Sequence, residues 1–512
     1  MMEFTYAAEL LDGVSAHYTQ HQGQDIGVVI TLWKRIIHEL LGHRDTRIAC
    51  AAKQCIESHY LSMTEDTVDA IFNVLWQNWV ESYQTILTTP AVTSFNRFSF
   101  TCRLLTLLYT KRHTDSAQLI QRFKPYAQGS CEPLDGCFDS THICLCFHDF
   151  LGLVKKLCQP LGQDDFDSSW DTFRGIENII CSFEICLEKS NMTLGEWPSW
   201  LTRRKLKWIS NATSALRQHA ADIGANTSQF EQTVGFVSFY AKHVERILTE
   251  TSWGSLETES FFAGDRKVDT SEYVLESSET VLLRTITITL LRLAELVAGM
   301  LSQYTKDEHT SNTPMDLLLL EKSMKNSFLS IYSRLVQDHH DGDTDIEEDT
   351  EEVLFEALGS MLSGSDKDAF VAGHLYFKMF TEVKMLQANI KCDQRMFDTS
   401  KYLSPVRVLM QILAMFDFDE YVILEMISGG DESAVSFLSQ ALTVLQQYLD
   451  LGGASDKFPL EVQGTWLAVS GFFRRLHEVL SKSDRTHKIS FHGLSIKLFK
   501  FLENYQKIED QF

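Results

Sequence analysis

Apolar residues recur every three or four positions along most of this 512-residue chain. In one stretch, Leu282, Ile286, Leu290 and Leu293 share a face with the spacing of an amphipathic α-helix. The segment TITITL (285–290) alternates as a strand does, but it lies inside this longer stripe, so we predict helix there. The same spacing predicts helices over 26–42, 66–86, 97–111, 230–249, 282–300, 315–336, 366–386, 404–416, 433–449, 461–480 and 491–505.

Short polar links connect these predicted helices, and helix-breaking residues are few, with 8 prolines and 26 glycines. The chain is longer than one hydrophobic core usually supports. Helix after helix over this length predicts an all-α fold, an irregular α-solenoid of the armadillo or HEAT type. No clean period of about forty residues is present. We predict a helical array over 1–449, a short linker over 450–460 and a short C-terminal helical domain over 461–512.

Acidic residues outnumber basic ones by 69 to 46, which gives a formal net charge of −23 and a pI near 5.2. This excess disfavours general nucleic-acid binding and binding to anionic membranes, because both require clustered cations. The sequence contains neither a signal-peptide pattern at its start nor a run of about eighteen uncharged apolar residues. We therefore expect a cytoplasmic or nuclear protein whose 11 cysteines are reduced thiols.

The most acidic stretch is DHHDGDTDIEEDTEE, residues 338–352. Asp341, Asp343 and Asp345 fit the first ligand positions of a twelve-residue calcium loop, but the sixth position, which needs glycine for a sharp turn, is Ile346. Two other interpretations are a solvated loop that caps the following helix and a docking surface for a basic partner. The candidate partner-binding residues of this stretch are Asp341, Asp343, Asp345, Glu347 and Glu348.

A segment rich in cysteine and histidine, CEPLDGCFDSTHICLCFH, occupies residues 131–148. Its spacing differs from the Cys-x₂₋₄-Cys pairs of structural zinc sites. Cys144 and Cys146, two apart on a helix, point in different directions. The part ICLCFHDFLGLV has the character of a buried helix, in which thiols behave as small hydrophobic groups. A zinc-dependent enzyme or metal-binding module is kept as an alternative, with candidate ligands Cys131, Cys137, His142, Cys144, Cys146 and His148.

A basic cluster, Arg203, Arg204 and Lys205 with Lys207, follows the sequence WPSW (197–200). One interpretation is a nuclear-import patch or a phosphate contact, which would suit a nuclear factor associated with nucleic acid. The other is the solvated face of a helix whose apolar residues point inward. Arg203, Arg204 and Lys205 are therefore further candidates for partner binding.

Catalytic signatures are missing from the sequence: it has no nucleophile elbow, P-loop, dinucleotide fingerprint or His-Glu-x-x-His motif. We expect no enzymatic activity, no cofactor and no small-molecule substrate. Helical solenoids present extended surfaces to other proteins. The leading hypothesis is therefore a non-enzymatic scaffold or adaptor that binds protein partners.

Four further stretches form a distinctive series along the chain. They are LGHRDTRIACAAKQCI (41–56), WP followed by RRK (197–205), SFFAGD (260–265) before a long apolar helix, and FDFDEYVILEMISGGDESAVSFL (416–438). In this order and spacing they resemble the Lines family of intracellular regulators, and the two C-terminal helices resemble that family's short C-terminal domain. Residues in register with family motifs include Trp197, Pro198, Arg203, Arg204, Lys205, Phe418, Asp419, Val422, Leu424 and Glu425.

The resemblance implies a regulator linked to developmental, Wnt/Wingless-related signalling that acts in the cytoplasm and nucleus through protein partners. It implies no catalytic residues. Lines proteins have an acidic turn at the place of residues 338–352, so the resemblance favours an inter-helix loop over a calcium site there. Longer members carry a long polar insertion before the C-terminal domain, where this chain has only residues 450–461.

Overall fold

The computed structural model describes residues 26–43, 45–59, 65–88, 91–112, 121–128, 140–161, 166–251, 253, 278–304, 369–375, 377–378, 405–414, 418–428, 432–452, 460–487 and 492–509. Nearly all of these residues are helical, and none of them forms a strand. The predicted all-α fold is confirmed, including the helical assignment of TITITL (285–290). The chain divides into two compact units, Met1–His219 and Ala220–Phe512.

The first unit contains the predicted helices at 26–42, 66–86 and 97–111, together with helices that the apolar pattern marks less clearly. In α2, for example, alanines form much of the buried stripe and give a weak hydrophobic signal. The helices are α1 (Ile26–Arg35, continued by a π-helical segment, Ile36–Leu40), α2 (Thr46–His59), α3 (Glu65–Thr88), α4 (Val92–Arg112), α5 (Ser140–Leu161), α6 (Phe166–Lys189) and α7 (Ser199–Gln218), with 3₁₀ helices at Lys124–Gln128 and Leu194–Glu196.

Helices α4 and α5 lie side by side and parallel. Near their N-terminal ends the ring of Phe95 stacks on that of His142, with centroids 5.7 Å apart. About two turns further along both helices, Arg103 Nε donates to Asp149 Oδ2 over 2.8 Å. The contacts therefore advance in the same direction on both helices, which makes the pair parallel.

Helices α5 and α7 are also neighbours and parallel. The ring of His148 meets that of Trp200 edge-on at 5.2 Å, and one turn later Gly152 lies against the side chain of Arg204. Helices α4, α5 and α7 thus form one layer of parallel elements, and α6 contacts α5 through Phe183 and α7 through Glu184. Stacked parallel helices are the arrangement of an α-solenoid, as the sequence predicts.

An aromatic cluster fills the core of the first unit. Trp79 of α3 stacks on Trp76 and Tyr83, with ring centroids 4.9 and 5.3 Å away. Its indole Nε1 donates to Cys102 Sγ of α4 over 3.2 Å. Rings from α4, α5, α6 and the 3₁₀ segment complete the cluster, namely Phe98, Phe123, Tyr126, Phe147, Phe150 and Phe183. This cluster holds α4 and α5 against α3, α6 and the segment 121–128.

The second unit is built from α8 (Ala220–Ala225), α9 (Thr227–Glu250), α10 (Ser278–Tyr304), helical residues 369–375, α11 (Pro405–Ala414), α12 (Glu420–Ser428), α13 (Glu432–Gly452), α14 (Leu460–His487) and α15 (His492–Glu509). Helix α10 packs on α8 and α9, and α14 and α15 pack on each other and on α12 and α13. The predicted helices at 230–249, 282–300, 404–416, 433–449, 461–480 and 491–505 are confirmed. The predicted helix 315–336 lies outside the described residues.

The predicted linker 450–460 falls between α13 and α14, and residues 453–459 of it lie outside the described part of the chain. Helices on its two sides pack against each other, because α15 contacts α13 and α14 contacts α11 and α12. Both sides therefore belong to one compact unit, and the proposed boundary between a helical array and a C-terminal domain stays a prediction.

A buried charged group joins α10 to the helical residues that follow 368. Glu295, which is 5% exposed, pairs with Lys378. Burial lowers the pKa of the nearby His374 imidazole, and the positive charge of Lys378 lowers it further. The imidazole is therefore neutral at pH 7. The charges of Glu295 and Lys378 pair with each other, so this group has a structural role.

Candidate partner-binding surface

Helix α7, which carries the basic cluster of the sequence, begins at a well-defined turn. Thr193 and Glu196 form a capping box, in which the Thr193 amide donates to Glu196 Oε2 over 2.7 Å. Pro198 then occupies the N-cap of α7, where no intrahelical bond requires its missing N–H. Trp197 packs edge-on against Phe147 of α5, with centroids 5.8 Å apart. The Trp-Pro motif thereby fixes where α7 starts and which way the following cations face.

Lys205 lies in the interior of the first unit. Its side chain is 0% exposed, its Nζ forms an ion pair with Glu184 of α6, and the same Nζ lies 5.4 Å from the ring centroid of Trp197. An ammonium is buried only where such partners replace water. The prediction that Lys205 sits on a solvated face is therefore wrong, and a partner cannot reach its ammonium.

The other cations of the cluster are partly or fully exposed to solvent. Arg203 and Arg204 are half-buried and Lys207 is exposed, and the parallel helix α5 adds the half-buried Lys155 and the exposed Lys156. We call the surface carrying these five residues the basic face. Its α7 half matches the sequence prediction, whereas the α5 half comes from the packing of two helices that are about fifty residues apart in the chain.

The charges of the basic face act on one another. The pKa of Lys155 is lowered from 10.5 to about 8, first by burial and then by the positive charges of Lys207, Arg204 and Lys156. Bringing these cations together costs electrostatic free energy that an anion bound among them would offset. The cations of the basic face therefore lie close enough for their charges to interact.

Acidic side chains are scarce in the layer that forms this surface. Helices α4 and α7 contain no Asp or Glu, and α5 contains only Asp149. Asp149 is buried and already accepts hydrogen bonds from Arg103 and Ser99. In a chain with 69 acidic residues, this layer is thus unusually poor in acids. The sequence contains the signal for it, because two of the helical segments have no acidic residue.

Apolar groups border the basic face on its N-terminal side. Trp200 of α7 is 37% exposed and Leu145 of α5 is 42% exposed. The ring of His148 lies between α5 and α7 beside Trp200. A surface with exposed aromatic area next to clustered cations combines the two kinds of contact that dominate binding at protein interfaces.

The described members of the cysteine and histidine segment do not converge. Cys144 and Cys146 are both buried, but Cys144 Sγ lies 3.6 Å from Met192 Sδ, whereas Cys146 Sγ lies 3.2 Å from the Phe95 carbonyl oxygen. Burial raises the pKa of the Cys146 thiol well above its ordinary value. Within the described ranges, no group of three or more His, Cys, Asp or Glu side chains is placed to hold a metal ion. Cys131 and Cys137 lie outside those ranges.

Two other predicted features also lie outside the described residues. They are the SFFAGD segment (260–265) and the acidic stretch 338–352. The partner-binding candidates of that stretch stay predictions, namely Asp341, Asp343, Asp345, Glu347 and Glu348.

The FD-x-x-V stretch of the second unit is a structural turn. Phe418 adopts a left-handed backbone conformation (φ 53°), which is rare for a bulky residue. Arg475 of α14 donates to the Phe418 carbonyl oxygen over 3.2 Å and to Glu420 Oε2 over 3.0 Å. Asp419 Oδ1 accepts from the Tyr421 amide over 2.8 Å and so caps α12. These motif residues fix the start of α12 against α14.

Replacing Lys207 with glutamine should raise the pKa of Lys155, because Lys207 contributes the largest charge effect on it. Lys156→Gln removes the same charge from a neighbouring position and should raise the pKa less, since Lys156 contributes the smallest of the three effects. Titration of ¹³Cε-labelled lysine by NMR, with Lys155→Met to assign the signal, measures both shifts. Equal pKa values in the wild type and Lys207→Gln would show that the two helices do not meet as described.

No helix among the described residues is both long and apolar enough to cross a membrane. Comparison of the chain with family models, with curated proteins and with solved structures gives no match. The basic face and the resemblance of the sequence to the Lines family are therefore the two observations that bear on function.

Proposed function

We propose that the protein is a non-enzymatic adaptor that binds acidic segments of partner proteins on the basic face. The observation that supports this most directly is the charge segregation: α5 and α7 carry five exposed or half-buried cations, while the layer of α4, α5 and α7 contains one buried acid. Rigid packed helices hold these side chains in place, so little ordering is needed when a partner binds.

The Lines resemblance supplies the biological setting of the proposal. It supports a regulator linked to developmental, Wnt-related signalling that works through protein partners in the cytoplasm and nucleus. The basic face includes Arg203 and Arg204 of the WP…RRK motif, so the proposed surface coincides with one of the stretches on which the resemblance depends.

A protein partner fits the charges better than a nucleic acid does. A polyanion gains affinity by neutralising many phosphates with an extended set of cations. This chain offers a confined cluster on a molecule of net charge −23, which disfavours the approach of a long polyanion. A short acidic segment needs complementary charge only where it docks, and exposed Trp200 and Leu145 suit its apolar side chains.

Charge reversal of the basic face should remove the partners of this protein. We expect Lys156→Glu with Lys207→Glu to lose a set of proteins that co-purify with the wild type, as measured by quantitative mass spectrometry of nuclease-treated extracts. Both lysines are exposed, so the fold should tolerate the changes. Binding of the same proteins should weaken as salt rises, because screening at physiological ionic strength acts over about 8 Å.

Lys34→Glu with Lys242→Glu is the matched control, because both lysines are exposed, belong to helices other than the two that form the basic face and change the net charge equally. It should retain the full set of partners. The adaptor proposal is wrong if the face variant and this control capture the same proteins. Loss of the partners on nuclease treatment alone would favour the nucleic-acid alternative.

A further inference from the structure

We propose that α9 (Thr227–Glu250) packs antiparallel on α9 of a second copy of this chain, which makes the protein a two-fold symmetric dimer in solution. The inference concerns the second unit and does not depend on the proposed adaptor function. Two features of the exposed side of α9 support it. One is a phenylalanine beside an open glycine, and the other is a pair of opposite charges placed around them.

One side of α9 is exposed along almost its whole length. Helices α8 and α10 pack on the other side, where Phe230, Val234 and Val237 are buried. The exposed positions recur at alternating intervals of four and three residues, the spacing with which one helix packs along another. They are Ser228, Gln232, Gly235, Phe239, Lys242 and Arg246. This side of α9 is therefore patterned for contact with a further helix.

Gly235 and Phe239 occupy the middle of the exposed side, one turn apart. Glycine weakens the interior of an exposed helix relative to alanine. A β-carbon at Gly235 would meet no heavy atom of the described chain within 4 Å, so packing inside the chain does not require glycine there. Phe239 is 45% exposed, and its ring lies edge-on against that of the buried Tyr240, with centroids 5.0 Å apart. An approaching helix thus meets a supported aromatic ring next to a hollow.

The ring and the hollow complement each other when α9 packs antiparallel on its own copy. In a pair centred at the level of residue 237, Gly235 lies about 3 Å from the centre in one direction and Phe239 about 3 Å in the other. Phe239 of each copy then lies at the level of Gly235 of the other copy. The two contacts are equivalent, as a two-fold interface requires.

The charges on this side of α9 fit the same arrangement. Glu231 and Lys242 are both exposed, and their separation of eleven residues, about three helical turns, places them on the same edge of the helix. An antiparallel pair centred at residue 237 brings Glu231 of one copy to within about 1.5 Å of the level of Lys242 of the other. The two-fold axis repeats this ion pair. A parallel pair would instead bring like charges together, which disfavours that orientation.

Sedimentation velocity of the purified full-length protein tests the inference. A contact between two helices is small for a specific interface, so we expect the wild type to pass from monomer to dimer at micromolar concentrations. Gly235→Leu should weaken the dimer at least about tenfold, because the new side chain fills the hollow that receives Phe239. The same variant should melt no lower than the wild type, since the position is open and leucine is a better helix former.

Phe239→Ala should weaken the dimer by a similar factor, because it removes the ring that fills the hollow. Phe499→Ala is the matched control, because Phe499 is 58% exposed and belongs to the same unit, but lies on α15. It should leave the dimer unchanged. Equal weakening by the two substitutions would indicate general apolar association and would overturn the α9 contact, as would a wild type that stays monomeric.

Exchange of the charges tests the pairing of Glu231 with Lys242. Glu231→Lys and Lys242→Glu should each weaken the dimer, because like charges then face each other. An equimolar mixture of these two variants should form a dimer as readily as the wild type, since every charged contact between the two different copies again joins opposite charges. A mixture that associates no better than either variant alone would show that the antiparallel pairing is wrong.

The outcome is separable from that of the adaptor experiment. Lys156→Glu with Lys207→Glu should leave the dimer unchanged, because neither lysine belongs to α9. The control variant of that experiment carries Lys242→Glu, so it should lose the dimer while it retains the partners of the basic face. Loss of the dimer in the basic-face variant, with wild-type association of Gly235→Leu and Phe239→Ala, would place self-association elsewhere and overturn the inference.

Discussion

Replacing Lys205 with methionine should destabilise the first unit by about 3–5 kcal/mol, although methionine fills a similar volume and is the more hydrophobic side chain. The ammonium of Lys205 is fully buried, pairs with Glu184 and lies over the ring of Trp197. The Glu184 side chain is only 16% exposed, so removing its partner leaves a carboxylate that water solvates poorly. The cost comes from this stranded charge more than from lost packing.

Urea denaturation followed by tryptophan fluorescence, with hydrogen exchange of the α6 and α7 amides to locate the effect, measures this loss. Lys207→Met, two residues along the same helix but at an exposed position, should change stability by less than about 0.5 kcal/mol. The double variant Lys205→Met with Glu184→Leu should recover most of the loss, because it removes both charges together. A loss below about 1 kcal/mol for Lys205→Met alone would show that Glu184 finds water or another cation.

The same lysine shows where sequence reasoning about α7 succeeds and where it fails. The apolar stripe correctly predicts that Leu201, Leu206 and Ile209 are buried. Lys205 belongs to that stripe by its spacing, since it lies four residues after Leu201 and four before Ile209. Because lysine is charged, its residue type predicts an exposed position. Lys205 is buried only because Glu184 on another helix pairs with it. An ion pair between two helices depends on their packing, which the pattern of one helix does not contain.

The basic face was predictable in one half only. Arg203, Arg204 and Lys207 are adjacent in sequence and attract notice as a cluster. Lys155 and Lys156 look like an ordinary surface pair in the sequence, and they join the basic face only because α5 packs parallel to α7. The cysteines of the preceding segment gave a stronger chemical signal than these lysines, yet Cys144 and Cys146 pack as small apolar groups. Counting the acidic residues of each helix separately would have identified this layer, because α4 and α7 contain none.

Helix positions were well predicted where the apolar residues are large. The stripe of α10 contains leucine, isoleucine and valine, and its helix includes the whole predicted range 282–300. Helix α2 buries Ala49 and Ala52, which differ little from polar residues in a hydrophobic pattern. The division of the chain at residues 219 and 220 has no counterpart in composition, because α7 and α8 are separated by a single residue.

Replacing Trp79 with alanine should destabilise the first unit by about 3–5 kcal/mol, the range observed for buried aromatic residues truncated to alanine. Trp79 is fully buried and stacks on Trp76 and Tyr83, with interplanar angles of 13° in both contacts. Four more rings from three separate segments lie within 6.0 Å of it, namely Phe98, Phe123, Tyr126 and Phe150. Few residues of the described chain touch so many elements, so the cavity left by alanine cannot be closed by moving one helix.

Trp79→Phe separates packing from hydrogen bonding at this position. It keeps one ring in the stack but loses the indole N–H that donates to Cys102 Sγ over 3.2 Å. Because sulfur is a weak acceptor, we expect the loss to be clearly smaller than for alanine, at about 1–2 kcal/mol from the reduced volume. Denaturant unfolding and hydrogen exchange of the α3, α4 and α5 amides measure both variants. Similar losses for the two substitutions would mean that the hydrogen bond, and not the aromatic stack, fixes α3 against α4. In that case the layer bearing the basic face would depend on one polar contact and not on its aromatic core.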